Sequence, residues 1–140
     1  MPLDKNKTLE MVIPSSLEKI EDVERLAEEA ADLMEFDEES KDSLAIAVTE
    51  AVNNAIIHGN KRDTNKKVII RFVFQENRLL VIVKDEGEGF NPDQIGDPLA
   101  PENLLKESGR GIFILSSLMD DVQFNFDKDG TELRMVKEKK

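Results

Sequence analysis

Glu50, Asn54 and His58 stand four residues apart in the run Ala47-Val-Thr-Glu-Ala-Val-Asn-Asn-Ala-Ile-Ile-His-Gly59. If this run is helical, the three polar groups lie along one side of it. A carboxylate and an amide one turn apart make a base and a metal ligand. Asn54 offers a neutral carbonyl oxygen, suited to Mg2+, which prefers oxygen ligands and keeps several waters. Glu50 can take a proton from an attacking hydroxyl or water. The apolar residues Leu44, Ala47, Val48, Ala51, Val52, Ala55 and Ile56 recur at helical spacing and would half-bury the polar row at the edge of a core. Half-buried polar groups need partners. An ordinary helix can also use Glu50 and Asn54 as cap or network residues, and His58 as a C-terminal dipole partner.

Two further clusters join glycines to apolar runs. In Asp85-Glu-Gly-Glu-Gly-Phe90, Asp85 closes an apolar strand and opens a glycine-spaced turn. Such a turn lets backbone approach a flat ligand while one carboxylate accepts from an exocyclic amine; a plain tight turn fits the same residues. In Ser108-Gly-Arg-Gly-Ile112, a turn at Gly109-Arg110-Gly111 ahead of a helix would present N–H groups to an anion, with Arg110 adding a fork of donors for phosphate. A glycine-rich loop with a solvated arginine is the other reading.

These residues need elements to position them. Thr8 to Pro14 alternates Leu9, Met11 and Ile13 with more polar neighbours and is predicted to be a strand. A helix follows, capped by Ser15 or Ser16, with an apolar stripe of Ile20, Val23, Leu26, Ala27, Ala30 and Leu33. Asp37 caps the second helix, which ends near Gly59. Lys66 to Gln75 and Arg78 to Asp85 form an antiparallel hairpin of central strands. From Glu86 to Gly109 the chain holds Pro92, Pro98 and Pro101 and little periodicity, apart from a helical turn around Glu102 to Lys106; loops of this length usually act. Gly111 to Met119 reads as a short helix. Asp121 to Asp127 and Thr131 to Val136 read as strands joined through Asp129-Gly130, and Lys137 to Lys140 as a frayed tail. Adjacent strands in the second half argue for α+β, a two-layer sandwich with a mixed, mostly antiparallel sheet and helices on one face.

At 140 residues the chain is expected to be one domain over 1–140. It has no cysteine, which excludes disulfides and thiolate metal sites. No apolar run approaches the roughly 20 residues of a membrane span, and the polar start is no secretory signal. A soluble cytoplasmic protein is expected. Its net charge of −11 repels a phosphate backbone, so no direct nucleic-acid binding is expected. A phosphate ligand would be held by backbone N–H groups, a metal ion and a few local cations.

Taken together, the clusters, their order and the long loop between the second and third resemble the GHKL superfamily of ATP-binding domains, which includes gyrase, histidine kinases and MutL. In that pattern the first motif is Glu-x-x-x-Asn (Glu50, Asn54), the second Asp-x-Gly-x-Gly (Asp85, Gly87, Gly89) and the third Gly-x-Gly (Gly109, Gly111). Gly130-Thr131 matches a late Gly-Thr whose threonine helps hold adenine. The phrases Thr49 to Gly59 and Gly109 to Phe113 are similar to those of stand-alone serine kinases that act as anti-sigma factors. The resemblance implies ATP and Mg2+ as cofactors, an anti-anti-sigma partner phosphorylated on serine, a sigma factor or similar target held by the kinase, and a homodimer. It further implies Glu50 as general base, Asn54 as Mg2+ ligand and Asp85 as acceptor from the adenine amine. Gly87, Gly89, Gly109 and Gly111 would shape pocket and lid, and Arg110 would meet the phosphates or the partner. A sensor histidine kinase would need a phosphoacceptor histidine ahead of this domain, and residues 1–35 contain none. The alternative is an ATP-dependent partner-switch module that binds and transfers nothing; such a module has no need of a base at Glu50.

Overall fold

The computed structural model describes residues 7–87, 107–127 and 130–139. Strand β1 (Thr8–Pro14) leads through a 3-10 turn (Leu17–Lys19) into helix α1 (Ile20–Leu33). Helix α2 (Glu38–Asn54) continues as a π-helical turn (Ala55–Gly59). There follow β2 (Lys67–Phe74), β3 (Arg78–Lys84), α3 (Glu107–Leu118), β4 (Asp121–Asp127) and β5 (Gly130–Glu138). The strands form one sheet in the order β1-β2-β3-β5-β4. All of its pairings are antiparallel. α1 packs on α2, α2 packs on α3, and α2 lies over β3 and β5. This is the expected α+β two-layer sandwich, with β2 and β3 in the sheet interior, but the described sheet is antiparallel throughout and not mixed, because each strand pairs with its neighbour through a hairpin or an antiparallel return.

The layers adhere because strand alternation and helical stripe meet in register. Met11, Ile70, Val83, Leu133 and Phe124 sit side by side across the sheet, as do Leu9, Phe72, Val81, Met135 and Val122. Against them lie the buried helix residues Val23, Ala27, Leu44, Val48, Ala51 and Val52. Phe72 and Phe74 are fully buried, and truncating such a side chain costs about 3–5 kcal/mol. The Asp37 carboxylate accepts from Ser40 N at 2.8 Å and caps α2. Ser16 caps the 3-10 turn by accepting from Glu18 N at 3.4 Å, while Ser15 is buried and donates to Lys66 O instead.

Several boundaries differ from expectation. Leu33 is exposed, and Met34 takes the core position, because α1 ends there and Glu35 turns the chain at φ 60°. Lys137 and Glu138 of the expected frayed tail continue β5. Lys137 is buried, and its Nζ donates to the Leu118 carbonyl at 2.9 Å, where the last carbonyls of α3 need donors. Helix α3 starts at Glu107, before Gly111, so Gly109, Arg110 and Gly111 lie within the helix and not in a turn ahead of it. Two helical glycines cost roughly 1 kcal/mol each, so the helix is held by the packing of its later residues, Leu115 being fully buried on an element that packs against α2. Gly89 and the helical turn expected around 102–106 lie outside the described residues.

Candidate functional site

α2 is α-helical through Asn54, so Glu50 and Asn54 stand one turn apart as expected. Both are half-buried, and among the described residues neither side chain has a hydrogen-bond or ion-pair partner. A half-buried carboxylate and amide without protein partners form a surface suited to a polar ligand. His58 lies beyond Asn54 on a different kind of turn and is half-buried. The Asn60 N–H bonds to Ala55 O at 2.8 Å, so the helix widens into a π turn from Ala55 to Gly59, which carries His58. Such widened turns frequently sit at functional sites. The chain then reverses through Lys61 and Arg62, both left-handed at φ 54° and 59°.

Asp85 follows the end of β3 and is buried. Its Oδ1 accepts from Gly87 N and from Thr131 N, each at 3.0 Å. Its own N–H donates to Thr131 O at 3.1 Å, which ties the Asp85 turn to the first residues of β5. Bonds from N–H groups to a carboxylate are the strong, charge-assisted kind, so this side chain is fixed before any ligand arrives.

Close backbone approach explains the glycines around it. A Cβ on Gly59 would lie 2.1 Å from Asp85 Oδ2, and one on Gly87 would lie 2.2 Å from the Gly59 carbonyl oxygen. Gly130 has φ +142°, and a Cβ there would meet Asp85 O at 2.2 Å. Gly130→Ala combines backbone strain with a backbone clash. It should lower stability by about 1–3 kcal/mol, read as a lower urea midpoint with unchanged slope. An unchanged midpoint would contradict the close approach of β5 to Asp85.

The end of α2 is joined to this turn by Asn60. Its amide nitrogen donates to Ser15 Oγ at 2.8 Å and to Lys67 O at 3.0 Å, and its Oδ1 accepts from Glu86 N at 2.8 Å. The first two clusters of the sequence thus meet through Gly59 and Asn60. Thr131 joins them through its backbone and is itself half-buried. Gly109, Arg110 and Gly111 ride on α3, which packs on α2. Sequence reasoning missed Gly59 and Asn60. The available signal was their position directly after the polar row, but Asn60 is followed by the polar run Lys61 to Asn65 and so carries no mark of burial.

A five-stranded antiparallel sheet under helices, with Glu-x-x-x-Asn on one helix and a glycine-cradled aspartate after the central strand, defines an ATPase domain of the histidine kinase type. Residues 13–137 match the family described as Histidine kinase-like ATPase domain, and the chain belongs to that family. It is 35% identical over 135 residues to a Bacillus subtilis protein named Serine-protein kinase RsbW, covering 92% of this chain and 84% of the relative. A protein of the same name from Oceanobacillus iheyensis is 31% identical over 123 residues, covering 84% of this chain and 78% of its own. Among solved structures, the RsbU and RsbW domains of a Mycobacterium tuberculosis protein superpose with TM-score 0.70 at 15% identity, over 95% of this chain and 32% of that one. The mycobacterial sensor histidine kinase MprB superposes with TM-score 0.57 at 15% identity, over 96% and 98% of the two chains. At such identities these likenesses speak for the fold.

Proposed function

We propose that this chain is an ATP-dependent serine protein kinase of the anti-sigma type, which phosphorylates a serine on an anti-anti-sigma partner and holds a sigma factor or similar target. The observation that carries the reading is the pair Glu50 and Asn54, half-buried and without partners among the described residues, on the helix whose end is bonded through Asn60 to the Glu86 amide, directly after the fixed Asp85. The curated relatives support it, being named serine-protein kinases at 35% and 31% identity.

In this reading Asp85 accepts the adenine amine, with Thr131 and Gly87 beside it, and the resemblance would give Gly89 a part in shaping the pocket. Gly109 and Gly111 would shape the lid, and Arg110 would meet the phosphates or the partner. Asn54 would hold a Mg2+ ion through its amide oxygen, which suits an oxygen-preferring cation, since the residue is half-buried and its side chain has no competing partner among the described residues. Bound Mg2+ supplies charge neutralisation on the phosphates. The partner's serine oxygen attacks the γ-phosphorus, a new oxygen–phosphorus bond forms, the bond to the bridging oxygen breaks and ADP leaves. Glu50 receives the hydroxyl proton. A homodimer and a cytoplasmic location belong to the same reading, on the sequence resemblance.

Tight ATP binding should require Mg2+, because a net charge of −11 disfavours a bare triphosphate. Asn54→Ala should remove the Mg2+-dependent part of the affinity in calorimetry, and ATP affinity unaffected by EDTA in the parent would remove Asn54 from this role. The whole reading is tested by incubating the protein with γ-labelled ATP, Mg2+ and candidate anti-anti-sigma proteins. Label on the partner is expected, and unlabelled partners from an ATP-loaded protein would contradict it.

A further inference from the structure

We propose that Asn60 is a positioning residue that sets the nucleotide pocket before nucleotide arrives, by holding the Glu86 amide and with it the turn that carries Asp85. The inference rests on the assignment of Asp85 to the adenine amine. Asn60 is only 1% exposed although Lys61 to Asn65, directly after it, are all exposed. Its side chain spans three segments: the residue after β1 (Ser15), the start of β2 (Lys67) and the turn after β3 (Glu86). Two donors and an acceptor on one short, flat group are what an amide offers and a carboxylate or hydroxyl does not.

The placement of these bonds matters more than their number. The Asp85 N–H and carboxylate are held from the β5 side by Thr131. Glu86, the next residue, is held from the α2 side by Asn60, and its own carboxylate accepts from Lys67 N. The Asn60 N–H closes the π turn onto Ala55 O, which places the Gly59 peptide against Gly87 and under Asp85 Oδ2. Losing the Asn60 side chain frees the Glu86 amide and leaves the end of the π turn held by its backbone bond to Ala55 O alone, without the side-chain ties to Ser15 and Lys67. Both changes act on the carboxylate that reads the base. Ser15 separates this role from mere support, since its hydroxyl braces Asn60 but makes no bond to the Asp85 turn.

The test compares Asn60→Ala, Asn60→Asp and Ser15→Ala for thermal stability and for ATP and GTP affinity. Asn60→Ala should lose about tenfold in ATP affinity, equivalent to ~1.4 kcal/mol, and part of the preference for ATP over GTP. Ser15→Ala should lose stability while keeping both. Asn60→Asp retains an acceptor for the Glu86 amide and should recover most of the preference, although a carboxylate facing Lys67 O makes it less stable. Hydrogen exchange in the nucleotide-free parent needs no variant and should find the Glu86 amide protected. An unprotected Glu86 amide overturns the proposal, as does an Asn60→Ala protein with the parent's affinity and ATP preference. A parent that never distinguished ATP from GTP would instead overturn the Asp85 assignment, and the Glu86 exchange result would still judge Asn60.

Discussion

Glu50→Gln should slow phosphoryl transfer to a partner serine by about 10²–10⁴-fold, the usual worth of general-base help. ATP affinity should stay close to the parent's, since the substitution keeps shape and a carbonyl oxygen at a half-buried position one turn before Asn54. The two quantities are measured together: labelled partner by gel over time, and nucleotide affinity by calorimetry. A partner-switch module that transfers nothing predicts a different pattern, with no labelled partner from either protein and ATP-dependent partner capture that survives the substitution. A Gln variant as fast as the parent would leave catalysis to positioning and Mg2+ alone.

Asp85→Asn should weaken ATP binding by about 1.5–3 kcal/mol, the range for a hydrogen bond to a charged group. The carboxylate is acceptor-only and gathers the Gly87 and Thr131 amides on Oδ1. A neutral amide accepts these more weakly and, in the proposed reading, would turn a donor toward the adenine amine from the crowded side of the group next to Gly59. GTP offers a carbonyl where ATP offers that amine and should bind the parent poorly. Equal calorimetric affinities of the parent for ATP and GTP would sink the assignment.

The scaffold was legible wherever one period dominated. Alternation in Val68, Ile70, Phe72 and Phe74 marked β2, and β1 runs over the expected Thr8–Pro14, because one face of each strand is buried against the helices. The Asp37 cap was equally readable, since its chemistry is local. What long-range packing decides was not readable. The tail lysine Lys137 is drawn to a helix end 19 residues earlier in the chain, and α3, which packs on α2, begins at Glu107 and so includes Gly109 and Gly111 despite their low helix propensity. The chemical types of Glu50, Asn54 and Asp85 and their order were visible, but the joint between them was not. A π turn has no periodic signature in a run as short as Ala55–Gly59, and Asn60 is buried by partners that come from three other segments.

The central claim is that phosphate passes from ATP directly to a serine of another protein. In a single-turnover reaction with γ-labelled ATP, quenched into acid and into alkali, label should accumulate on the partner. It should withstand acid and be lost in alkali, as a serine phosphate is, and the chain itself should carry none, although it contains one histidine, His58. Acid-labile label on this chain ahead of any label on the partner would contradict direct transfer to serine.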